Sequence, residues 1–261
     1  MKLKIALLQT DIAWNNPSRN LDHIETMLAG LHGTDIAVLP EMFATGFITD
    51  SPRHGQSMDG EIVTRMRSLA HSSGIALAGT VAVHDDLHPT HEIRLRNRFV
   101  FVRPDGNIVS YDKHHLFGYG GENDCYLAGT QRVVFEYKGF RIMPQICYDL
   151  RFPVWSRNKR DYDLLLYLAS WPTSRISAWD TLLKARAIEN QCYVVGVNRV
   201  GTDSTTDYCG HSAIIDFKGH VIADATEPLE SCITSELDSE NLLSFREKFR
   251  IWEDADPFRI E

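Results

Sequence analysis

The sequence predicts an α/β fold in four layers, α-β-β-α, and three observations predict it. Short apolar runs alternate with amphipathic helical stretches in both halves of the chain. Hairpins with favourable turn residues interrupt that alternation. No Pro/Gly/Ser-rich linker, charge block or internal repeat divides the 261 residues. The alternation implies parallel strands with helices on a sheet face, and the hairpins are too many for one doubly wound sheet. Two sheets with helices outside them satisfy both features. A single domain over 1–261 follows, large enough to bury a core without disulfide or metal staples.

In chain order, residues 4–9 are apolar and read as a strand. Asn16-Pro17 is an N-cap followed by proline at the first helical position, and Leu21, Ile24, Leu28 and Leu31 form one helical face, with Gly33 as the expected terminator. Ile36 to Leu39 is a buried strand, 60–73 a helix, and 74–83 a third strand. Pro104-Asp105-Gly106 turns a hairpin between 98–102 and 108–111, and Lys138-Gly139 turns a second between 133–137 and 140–143. The second half repeats the alternation. Leu164 to Ala169 is a fully buried strand, 176–191 a helix and 193–197 a strand. A hairpin follows around Lys218-Gly219, then a strand over 233–237 and a closing helix over 239–248.

Composition excludes several classes. The formal charge of -8 argues against nucleic acid or an anionic membrane surface as the partner. No stretch approaches transmembrane length, and the apolar run at the N-terminus is too short for a signal peptide. The five cysteines have no framework spacing, so reduced thiols in the cytoplasm are expected. The eleven histidines show no metal-binding spacing, so no metal is expected.

Three strand ends carry chemistry. The apolar run 142–146 stops at Cys147, and Tyr148, Asp149, Arg151 and Pro153 follow at once. That pattern delivers a thiol to a sharp strand-to-helix turn, where it can attack a substrate. Leu39-Pro40-Glu41 offers a carboxylate, and Asp112-Lys113-His114-His115 an ammonium. Taken singly, each has a plain alternative: an inert buried cysteine, a surface glutamate, a solvated lysine. Together they suit acyl transfer from an amide. The carboxylate takes the thiol proton, while the ammonium and backbone N–H groups after Cys147 bind the oxyanion. A papain-like arrangement, with His211 as base, leaves Glu41 and Lys113 without a role.

Leu39-Pro40-Glu41, Asp112 to Phe117, and Ile146 to Pro153 resemble, in order and spacing, the glutamate, lysine and cysteine motifs of the nitrilase superfamily of carbon–nitrogen hydrolases. The resemblance covers nearly the whole chain. It implies an αββα sandwich of the nitrilase type and no cofactor. Glu41 would then be general base and acid, Lys113 the support of the tetrahedral intermediate, and Cys147 the nucleophile. Glu122, in the loop after the lysine, fits a second family glutamate that orients Lys113. Ala169-Ser170-Trp171-Pro172, Arg175, Trp179 and the segment 184–191 are similar to bacterial members of the omega-amidase branch. That branch hydrolyses the terminal amide of short dicarboxylic monoamides such as 2-oxoglutaramate and 2-oxosuccinamate. Phe43, Phe117, Tyr148 and Trp171 are expected around the substrate, with Arg151 or Arg175 gripping its free carboxylate. Arg151 could instead brace the Cys147 turn through Asp149. The implied partners are a small-molecule amide, water and a second copy in a homodimer, with Trp252, Pro257 and Phe258 available to pack on it. An N-carbamoyl amidohydrolase with the same triad, or a non-catalytic binding or scaffold member, is the alternative.

Overall fold

Two six-stranded sheets lie face to face in the computed structural model, which describes residues 1–49, 54–85 and 94–259. The first has the order β14-β1-β2-β3-β4-β5, formed by β1 (Lys2–Gln9), β2 (Ile36–Val38), β3 (Ala76–His84), β4 (Leu95–Val102), β5 (Ile108–Asp112) and β14 (Ser231–Asp238). The second has the order β13-β12-β9-β8-β7-β6, formed by β6 (Phe135–Tyr137), β7 (Phe140–Ile146), β8 (Leu164–Ala169), β9 (Tyr193–Asn198), β12 (Ser212–Ile215) and β13 (Val221–Ala225). Each sheet has three parallel strands at its centre, β1-β2-β3 and β7-β8-β9, with antiparallel strands on both sides. This is the four-layer sandwich expected from the sequence.

Strand alternation builds the layers. Leu3, Ile5 and Leu7 of β1, and Phe99 and Phe101 of β4, pack in one core with Phe140, Ile142 and Ile146 of β7. The rings of Phe101 and Phe135 meet 4.7 Å apart across the sheets. Residues of opposite parity, such as Leu8, Ala37 and Val100, pack instead under α1 (Pro17–Ala29) and α2 (Glu61–Ser73). On the far side, α5 (Ile176–Asn190) and α6 (Ser239–Lys248) cover the second sheet through Trp179, Leu183, Ala187 and Leu242. Every residue of β8 is fully buried, as a strand covered on both faces requires.

Some boundaries differ from expectation. Asn16 caps α1 as predicted, its side chain accepting from Arg19 N–H, but the helix stops at Ala29 with Gly30 as its C-cap, before Gly33. The short ribbon β10 (Val200–Thr202) and β11 (Asp207–Cys209) was not foreseen. The aromatic tail folds on its own chain: Arg160 lies over Trp252 and Lys159 over Phe258. Among the described residues, no helix is long and apolar enough to cross a membrane, and no group of side chains could hold a metal ion.

Candidate active site

Glu41, Lys113, Cys147 and Ser170 each follow the end of a strand: β2, β5, β7 and β8. The carboxyl ends of parallel strands converge here, where open α/β layers form their sites. The two sheets are stitched at this point. Ser170 N–H donates to Glu41 Oε2 at 2.9 Å, and Ser170 Oγ donates to the Glu41 carbonyl at 3.1 Å.

The polar centre is buried. Glu41, Lys113 and Glu122 are each at most 1% exposed. Lys113 Nζ lies 2.8 Å from Glu41 Oε1 and 2.9 Å from Glu122 Oε2. Glu122 opens the short helix α3 (Glu122–Cys125) and also accepts Phe117 N–H at 2.6 Å. Burial alone would push the Lys113 ammonium down, but Glu122, Glu41 and Cys147 outweigh it and hold it well above the usual lysine range. Burial pushes Glu122 up, Glu41 adds to this, and Lys113, Asn97 and Phe117 N–H oppose it. The cluster therefore keeps its cation.

Cys147 sits at a turn with φ 44°, in the left-handed region that non-glycine residues rarely adopt. Such strain costs of order 1–3 kcal/mol and persists only where the surroundings enforce it. Asp149 does the enforcing. One of its oxygens accepts Ile146 N–H at 3.0 Å and Tyr111 OH at 2.8 Å. The other accepts His115 N–H at 2.9 Å and lies 2.8 Å from His115 Nδ1. The lysine loop and the cysteine turn thus share one carboxylate. Arg151 takes no part in this brace. The thiol is pushed up, first by burial and then by the neighbouring Glu41, with Lys113 acting against both, and its Sγ lies 4.0 Å from the Ser170 carbonyl. It rests as a thiol near the Glu41 carboxylate.

A cavity of about 650 Å³ opens over Cys147, Glu41 and Lys113. Tyr148, Phe117 and Trp171 line it as expected, together with Arg151 and Arg175. The Arg151 guanidinium lies 5.0 Å over the Trp171 ring and that of Arg175 lies 5.2 Å over Phe117. Among the described residues, neither guanidinium has a carboxylate partner. Asn198 clamps Trp171 by accepting its N–H at 2.7 Å and donating to its carbonyl at 3.1 Å.

Phe43 does not wall this cavity, contrary to the sequence expectation. It is 1% exposed in the core beneath α1 and α2. Met42, at φ 50°, turns the chain back, and Gly79 makes room, since a Cβ there would lie 2.7 Å from the Phe43 ring. His211, the base a papain-like reading needs, lies 3.1 Å from Asp180 and outside the cavity lining. Sequence reasoning missed Asn97, Phe47, Trp14 and the β10–β11 ribbon. Of these, Asn97 left a signal, as a polar residue in phase with Leu95, Phe99 and Phe101.

The sequence matches the family described as carbon-nitrogen hydrolase over residues 4–247. The chain belongs to that family and is a hydrolase of carbon–nitrogen bonds. It is 44% identical over 259 residues to omega-amidase YafV of Yersinia enterocolitica, covering 99% of this chain and 98% of that one. It is 33% identical to the 2-oxoglutaramate amidase of Bacillus subtilis (strain 168), covering 97% and 98%. Among solved structures it resembles XC1258 of Xanthomonas campestris, a CN-hydrolase superfamily protein with an arsenic adduct in the active site. The TM-score is 0.95 at 39% identity, over the full length of both chains.

Proposed function

We propose that this chain is an omega-amidase. It releases ammonia from the terminal amide of short 2-oxo dicarboxylic monoamides, of the 2-oxoglutaramate or 2-oxosuccinamate kind. One observation carries the reading: a thiol paired with Glu41 and Lys113 lies beneath a cavity that also exposes two guanidiniums without carboxylate partners among the described residues. The buried set supplies amide hydrolysis, and the guanidiniums select a substrate with a free carboxylate. The two amidases named above support the same substrate class.

In the proposed mechanism Cys147 Sγ attacks the amide carbon and Glu41 takes the thiol proton. Lys113 Nζ and the Tyr148 N–H bind the resulting oxyanion. Glu41 returns the proton to the leaving nitrogen, the carbon–nitrogen bond breaks, and ammonia departs. The acyl group remains on sulfur as a thioester. Water then attacks with Glu41 as base, the carboxylic acid leaves, and Cys147 regains its proton. Glu122 holds Lys113 in place throughout. No step needs a cofactor.

A cytoplasmic setting is part of the proposal. A homodimer is part of the proposal, and sedimentation would test it. The substrate reading is tested by ammonia release from omega-amides, carbamoyl compounds and nitriles, with each omega-amide acid set against its methyl ester. The acid should be preferred by at least tenfold, the low end of what a charge-assisted pair contributes. Equal efficiency would reduce the enzyme to a generic amidase, and preference for carbamoyl compounds would move it to the carbamoyl branch.

A further inference from the structure

Asn97 lies at the centre of the polar cluster and none of the steps above uses it. It is fully buried on β4, on the face it shares with Leu95, Phe99 and Phe101. A buried amide is costly unless its hydrogen bonds are made. Both protons of its NH₂ are used: one reaches Glu41 Oε1 at 2.8 Å and the other Glu122 Oε1 at 3.0 Å. Its backbone carbonyl accepts the N–H of Lys113 at 2.9 Å. A single residue therefore touches the base, the lysine and the carboxylate that supports the lysine. Among the described residues its side-chain oxygen is buried without a partner, so the amide is turned to the service of the two carboxylates.

Charge counting explains why a donor is needed. Two carboxylates face one ammonium, which leaves an excess negative charge in a buried site. The contacts on Glu41 are also uneven. Oε1 accepts from both Lys113 and Asn97, which fills its two lone-pair directions, whereas among the described residues Oε2 accepts from Ser170 N–H alone. We propose that Asn97 is a positioning residue for the hydrolysis. Its two N–H donors hold Glu41 and Glu122 in place against their mutual repulsion and leave Glu41 Oε2 as the oxygen that takes the proton from Cys147. The inference rests on the amidase mechanism above and deepens it.

Among the described residues, the other titratable groups facing the couple are Lys113, Cys147 and Tyr126, and Tyr208 from β11. Asn97 is among the groups that oppose the upward push on Glu122. Losing it should let the cluster take up a proton at higher pH.

The test compares Asn97→Leu and Asn97→Asp with the parent. The acid limb is read twice, from kcat/KM for ammonia release and from the rate of Cys147 alkylation by iodoacetamide. For Asn97→Leu the acid limb should move up by about one pH unit in both assays, with kcat at least tenfold lower and KM within threefold, as expected for loss of a hydrogen bond to a charged group. Asn97→Asp should keep most activity at low pH, where the new carboxyl is protonated and can donate, and should lose it as pH rises. If Asn97→Leu does not fold, the near-isosteric Asn97→Asp decides alone. A limb that superimposes on that of the parent, or an Asn97→Asp variant without the alkaline loss, would overturn the proposal. Alkylation needs no substrate, so a parent that released no ammonia would sink the omega-amidase reading while Asn97 was still judged.

Discussion

Cys147 is close to the carboxylate it needs and is protonated at rest, because burial and Glu41 both raise it. In the proposed mechanism its reactivity depends on proton transfer to Glu41 rather than on a standing thiolate, so Glu41→Gln should slow iodoacetamide alkylation at neutral pH as well as turnover. Cys147→Ala should abolish ammonia release with an unchanged circular dichroism spectrum. Lys113 is placed to act on charge that exists mainly in the transition state. Lys113→Ala should lower kcat by about 10²–10³-fold with little change in KM. Glu122→Gln should lower kcat less. In the proposed mechanism Glu122 acts through Lys113, so the double variant should lose less than the product of the single losses, and a steady-state double-mutant cycle would measure this. At this scale the sequence was legible wherever an apolar run stopped abruptly at a polar residue, as at Glu41 and Cys147. Asn97 was hidden because Arg96 and Arg98 flank it and make the segment read as solvated, although strand alternation turns those two away and Asn97 inward.

Elements hold the site through shared carboxylates. Asp149 ties the turn after β7 to the loop after β5, and Asp163 does a similar service at the opposite end of β7. Asp163 accepts a two-pronged contact from Arg141, at 2.9 and 2.7 Å, and a further bond from Arg246 of α6 at 2.7 Å. Burial would raise Asp163, but Arg141 and Arg246 outweigh it and hold the carboxyl below the usual range. A depressed acid stabilises the fold above its unfolded-state value and loses that contribution as pH falls through its folded one. Asp163→Ala should therefore cost about 3 kcal/mol near neutral pH, since it leaves the buried Arg246 without its counter-charge. The gap from the parent should close below about pH 4. Urea unfolding at several pH values would check both points. The helices and most strands were legible because each has one period and one buried face. The β10–β11 ribbon was not, because three-residue strands carry no readable period.

Across the whole molecule, two sheets with the same central pattern press together and bring strand ends from both to one cavity. Glu41 and Lys113 come from the first sheet, and Cys147 and Ser170 from the second. The layering was legible from alternation and hairpins, which bury Leu3, Ile5 and Leu7 against Ile142 and Ile146. The cavity wall was legible only in part. Phe43 was placed in it because an aromatic beside a catalytic residue and one in the core look alike in sequence; the turn at Met42 and the space at Gly79 decide which it is. The most direct test of the account is mass spectrometry of the enzyme quenched during turnover of 2-oxoglutaramate. The account predicts that the peptide containing Cys147 carries the acyl group of the substrate less ammonia, and that this adduct disappears in Cys147→Ala. An adduct on Cys125 or Cys192, or ammonia release that persists in Cys147→Ala, would contradict it.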